Sequence, residues 1–204
     1  MIEMAQADGV ATITLNRPEK ANAVTREMLA EITRYVTEAQ DAKALILSGK
    51  GKVFSGGADL DAARAGLATD PVWEQLSGAI AAFQGLSIAA LNGTLAGGSM
   101  GMALACDLRL AVPNAKFFYP VMKLGFLPQP SDPTRLIRLI GPGRANMILL
   151  AGQKITADEA LSWGLIDQIV PHDTLLASAQ KLTEDARAAS FDHIASIKAL
   201  CQAR

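Results

Sequence analysis

Leu91–Ala111 reads LNGTLAGGSMGMALACDLRLA: the close of an apolar strand (Ile88–Leu91), a loop carrying Gly93, Gly97 and Gly98, then a helix with Met100, Ala103 and Leu104 on one face. Glycine lets a backbone turn sharply or approach a ligand, because no Cβ stands in the way. Gly97-Gly98 falls at a helix start, where the first amides have no partner inside the helix and point outward. Such amides suit an anion or an oxyanion that develops during a reaction. Val53–Leu60, VFSGGADL, repeats the arrangement: a strand end, the Gly56-Gly57 turn and a short helix. Two loops of this kind can each aim one N–H at a single carbonyl oxygen.

Outward from these loops, strands and helices alternate. Ile2–Ala7 and Val10–Leu15 flank Asp8-Gly9, a strong hairpin turn. Thr25 caps a helix with Met28, Leu29, Ile32 and Val36 at spacings of three and four. Lys43–Ser48 is a short buried strand, and about Pro71 to Gln84 a helix. This is the βα pattern of a mainly parallel sheet in an α/β fold. From Asp132 the pattern turns mostly helical: Asp132–Ile140, Gly143–Ala151 behind Pro142, a capping box from Thr156 to Glu159, then Thr174–Ser190 and Phe191–Arg204. No linker interrupts the 204 residues, so one domain is expected, with a core over 1–131 and a helical part over 132–204.

Half the residues are hydrophobic, and 19 basic against 20 acidic side chains leave a net charge of −1, without the basic excess of a nucleic-acid-binding surface. Cys106 and Cys201 are isolated, with no metal-type spacing, and neither a signal peptide nor a membrane-length apolar run is present. The pattern fits a reducing, cytoplasmic setting, with Cys106 a buried inert thiol.

FSGGADL followed by NGTLAGGSMGMALACDLRLA resembles the paired signatures of the crotonase (enoyl-CoA hydratase/isomerase) superfamily. VATITLNRPEKANAV is similar to its opening strand and acyl-CoA-binding turn, and LGFLPQPSDPTRLIRLIGPGRANMILLAGQKITADEALSWGLIDQIVP to its later pattern. The resemblance implies a stacked ββα spiral, shortened at the C-terminus, that binds an acyl-CoA thioester in a trimer or a dimer of trimers. It implies fatty acid metabolism, no metal, and no cofactor beyond the coenzyme A of the substrate. The thioester oxygen would lie between the amides of Ala58 and Gly98. Groups around Lys20, Ala21, Asn22, Gly56, Asp59, Leu60 and Asp61 would hold the coenzyme, with the Lys20 ammonium available to phosphate. Leu60, Trp73, Met100, Phe117, Val121 and Phe126 are the expected acyl-pocket walls.

The chain departs from the family where protons move. Hydratases of this kind use two glutamates, and their places fall on Gly101 and Val121. Neither residue carries a proton, so simple hydration is disfavoured. Tyr119, Lys123 and Asp132 flank the second place. In an extended segment, Tyr119 and Lys123 would share a side with Val121. An oxyanion hole without an acid/base pair suits enolates made without deprotonation, as in decarboxylation of a malonyl-type thioester, giving a lyase or isomerase. One alternative is a catalytically silent acyl-CoA-binding relative. Another is a Clp-like serine hydrolase using Ser99, with Lys123 as its base.

Overall fold

The computed structural model describes residues 1–39 and 41–202. A six-stranded sheet contains β1 (Ile2–Ala7), β2 (Val10–Leu15), β3 (Ala44–Gly49), β5 (Leu86–Leu91), β7 (Leu108–Ala111) and β10 (Gln168–Ile169), in that spatial order. The β1–β2 hairpin is antiparallel and every other neighbour in this sheet is parallel. Its turn residues, Asp8 and Gly9, both take positive φ, as a tight hairpin with right-handed strand twist requires. β3 lies inside the sheet, and its ALILS run is buried, the continuous apolar pattern of a parallel strand covered on both faces.

A second sheet runs beside the first in the order β4 (Val53–Ser55), β6 (Thr94–Ala96), β8 (Lys116–Phe118) and β9 (Ile155–Thr156), with only the last pair antiparallel. The chain passes directly from β3 to β4, from β5 to β6 and from β7 to β8, and helices make most of the remaining connections. The first are α1 (Arg26–Glu38), α2 (Leu60–Arg64), α3 (Val72–Ala82) and α4 (Met100–Leu104). α1 is capped by the Thr25 side chain, which accepts from the Met28 amide, and it buries Met28, Leu29, Ile32 and Val36. Both glycine loops leave the second sheet, the first after β4 and the second after β6, and these strands are parallel neighbours. That adjacency brings the two loops side by side.

α5 (Val121–Leu124) is a single helical turn, not the extended segment the sequence suggests. Lys123 is consequently exposed, while Tyr119 and Val121 are buried. α6 (Asp132–Leu149) bends at Gly141, where φ is +78°, and so joins the two predicted helices across a kink at Pro142. α7 (Ala157–Trp163) has the predicted capping box from Thr156 and Glu159. The predicted helix over 174–190 divides into α8 (Leu175–Lys181) and α9 (Glu184–Ala188), because the chain turns inward at Thr183, a fully buried side chain that bonds the Gln180 carbonyl. α10 (Phe191–Gln202) follows; residues 203 and 204 of the predicted helix lie outside the described residues. Among the described residues, no helix is long and apolar enough to cross a membrane.

Candidate active site

The two loops touch at their glycines. Gly57 and Gly97 have φ of +98° and +58°, and a Cβ on Gly97 would stand 3.7 Å from the Gly57 Cα. The positive φ favours glycine at both, and at Gly57 a Cβ would also crowd the Ala96 carbonyl oxygen at 3.2 Å. Each contact glycine is followed by the residue whose amide the sequence singles out. Val24 donates to the Gly57 carbonyl and accepts from the Asp59 amide, a parallel bridge that leaves the intervening Ala58 amide on the other side. Among the hydrogen bonds of the described residues, neither the Ala58 nor the Gly98 amide donates to a protein acceptor. Both residues line a cleft of about 320 Å³.

The loops rest on one buried hydroxyl string. Ser99 and Ser55 share a hydrogen bond of 2.7 Å, and the Ser55 hydroxyl donates to the Asn22 carbonyl. Ser99 is fully buried, and this places its hydroxyl in the bed beneath the loops, with Ser55 as its side-chain partner. The side-chain hydrogen bond of Ser99 among the described residues is to Ser55, and Lys123, the base of the nucleophile reading, is exposed on α5.

Other candidates fall into three sets. Gly56, Ala58, Leu60, Gly98 and Val121 line the cleft, together with Trp73, whose indole lies against Gly98 and donates to the Leu67 carbonyl. Ala21 is exposed, with its carbonyl accepting from the Gly56 amide, whereas the buried Asn22 side chain accepts from the Arg17 amide and donates to the Lys50 and Val53 carbonyls. Lys20 and Asp61 are exposed, and Asp61 pairs with Arg64. Asp59 caps α2 by accepting from the Asp61 and Ala62 amides, and it meets the Arg17 guanidinium at 2.8 Å. That guanidinium holds the Asp59 carboxyl below its ordinary range, helped by the capping amides. Arg17 thus ties the opening turn to the first glycine loop, a role that becomes visible only when the two segments meet in space. Of the expected walls, Phe126 lines the cleft, whereas Met100 and Phe117 belong to the core, fully buried in α4 and β8.

The two places that the family resemblance assigns to glutamates differ. Val121 fills its place with an aliphatic side chain on the cleft wall. At Gly101 a Cβ would meet the Asp132 Oδ1 at 2.8 Å, so the carboxyl of Asp132 occupies the room that a larger residue would need. A buried carboxyl therefore stands behind the first of these places, on one of the three residues that flank the second in the sequence. Asp132 is only 1% exposed, and the Tyr119 hydroxyl donates to its Oδ2 at 3.0 Å. Arg135 approaches Oδ1 at 4.0 Å, outside hydrogen-bond range. Burial pushes the Asp132 carboxyl up to about 7; Glu74 adds to the rise, while Tyr119 and Arg135 oppose it. The phenol of Tyr119 is pushed far above its ordinary range, first by burial and then by Asp132. Tyr119 itself lines the cleft, and the Gln129 amide donates to its oxygen at 3.1 Å. Cys106 is also buried, which raises its thiol to about 12 and leaves it inert.

The fold is α/β, with two mainly parallel sheets that set a pair of glycine loops over an apolar cleft. The enoyl-CoA hydratase/isomerase family model matches residues 5–204, and the chain belongs to that family. It is 36% identical over 171 residues to the probable enoyl-CoA hydratase echA6 of Mycobacterium tuberculosis, a match covering 83% of this chain and 70% of that protein. It is 35% identical over 190 residues to the crotonyl-CoA hydratase of Syntrophomonas wolfei, covering 89% and 73%. The crystal structure of an enoyl-CoA hydratase from Bacillus anthracis superposes with a TM-score of 0.92 at 30% identity, covering 99% of this chain and 82% of that one.

Proposed function

We propose that the cleft binds a coenzyme A thioester and that the chain stabilises its enolate between the amides of Ala58 and Gly98. The observation that carries this reading is the pair of unengaged amides, each directly following one of two glycines in contact. As charge moves onto the thioester oxygen, preoriented N–H groups stabilise it without reorganising, each lowering the barrier by about 3 kcal/mol. Leu60, Trp73, Val121 and Phe126 offer an apolar bed to the acyl group, and Lys20 lies exposed in the opening turn as a point charge for phosphate.

Water addition by two glutamates does not suit Gly101 and Val121. Loss of carbon dioxide from a malonyl-type thioester suits them better, because the broken C–C bond leaves its electron pair for the oxyanion hole. The reading is therefore enolate chemistry of a lyase or isomerase. Turnover of methylmalonyl-CoA with slow or absent hydration of crotonyl-CoA is the expected result. Brisk hydration of crotonyl-CoA overturns the assignment of the two vacated places.

A further inference from the structure

The enolate reading leaves open how a proton reaches or leaves the carbon beside the thioester. Lys123 is exposed, and so are His172 and His193, the two histidines. Asp61 and Arg64 are exposed and pair with each other on α2. Tyr119 has a different setting. The Ala96–Phe118 pairing of β6 with β8 brings Tyr119 alongside Gly97, at the base of the second glycine loop. Its side chain lines the cleft, and its hydroxyl is fixed by two hydrogen bonds, one from the Gln129 amide and one to Asp132.

We propose that Tyr119 moves the proton at the carbon next to the thioester, and that Asp132, seated in the room left by Gly101, is the positioning residue that takes or returns the proton of the phenol. The inference rests on the thioester reading of the cleft. In the deprotonating direction the Cα–H bond breaks and its proton goes to the Tyr119 oxygen. The Tyr119 O–H bond breaks at the same time, its proton passes to the Asp132 Oδ2, and the electron pair of the C–H bond moves onto the thioester oxygen. Protonation of an enolate is the reverse. No standing tyrosinate is involved, which agrees with a phenol pushed well above its ordinary range. The Gln129 amide stabilises the negative charge that passes through the phenol oxygen.

Asp132 suits the receiving role. Its Oδ2 holds the Tyr119 hydrogen, while its Oδ1 has no hydrogen-bond partner among the described residues. The charged groups facing it are Arg135 on its own helix, at 4.0 Å, and Glu74 on α3, which accepts from the Ser131 amide; α4 presents only Gly101. A carboxyl that titrates near 7 can give and accept a proton with little driving force lost in either direction.

Exchange of the Cα hydrogens of butyryl-CoA in deuterated buffer, followed by NMR, tests the pair without reference to any one reaction. The wild type is expected to exchange hydrogen at a rate that rises with pH to a plateau near 7. Tyr119→Phe is expected to lower the rate by about a hundredfold or more. Asp132→Asn, which keeps an acceptor for the Tyr119 hydroxyl, is expected to lower the rate and remove the rise near pH 7, a change that loss of packing alone would not produce. Binding of butyryl-CoA and thermal unfolding are measured on all three proteins. Full exchange in Tyr119→Phe, or binding without exchange in the wild type, overturns the proton role and leaves the thioester reading standing. Failure of the wild type to bind the thioester overturns both.

Discussion

Gly101 and Val121 stand at the two places that the family resemblance assigns to proton-handling glutamates, and the structure treats them in opposite ways. Around Val121 the gap is closed by an aliphatic side chain on the cleft wall. Around Gly101 the gap is filled from another helix by the buried carboxyl of Asp132. The comparison teaches that an absent side chain fixes the chemistry of a site only once its neighbours are known.

The sharpest way to break the contrast is to put the glutamate back. Gly101→Glu would force two carboxyls together in a buried space, with an expected loss on the order of 4 kcal/mol and failure to accumulate as folded protein. Adding Asp132→Gly should recover most of that stability, measured by urea unfolding. If the single variant is as stable as the wild type, Asp132 does not occupy the room.

Next in size is the pH dependence of folding. The folded carboxyl of Asp132 titrates near 7, well above an ordinary aspartate, so the fold favours its neutral form. That contribution is complete below about pH 4 and is lost as pH rises through about 7. The wild type should therefore lose on the order of 2–3 kcal/mol from this group between about pH 5 and 8, and Asp132→Asn should abolish that loss. Denaturant midpoints at the two pH values give the check. A decline of equal size in both proteins shows that another group is responsible.

Gly101→Ala is a milder probe, because its methyl would meet the Asp132 Oδ1 at 2.8 Å. It should cost about 1–3 kcal/mol in the wild type and well under half of that beside Asp132→Ala, a coupling read from a double-mutant cycle. Val121→Gln should have the smallest effect, about 1 kcal/mol, because a longer polar side chain at the cleft wall can extend toward water. A cost equal to that of Gly101→Glu would mean that the two places are alike after all.

The strands, the Thr25 and Thr156 caps and both glycine turns were legible from local pattern, because each depends on residues close together in the chain. So was the meeting of Ala58 and Gly98 on one cleft, through two short motifs. What local pattern could not supply was distance. Asp132 stands beside Val121 in the sequence but faces Gly101 in the fold, and Lys123 leaves the site because α5 is helical where alternation suggested an extended segment. The Arg17–Asp59 pair and the Ser55–Ser99 bond join segments whose separation hides them in the same way. The division of the predicted 174–190 helix came from Thr183, whose burial owes nothing to helical periodicity.

The string running from Ser99 through Ser55 to the Asn22 carbonyl couples both glycine loops to the turn that follows β2. Two loops about forty residues apart in the chain thus share one anchor, and loosening that turn should disturb both together while the rest of the protein still stands.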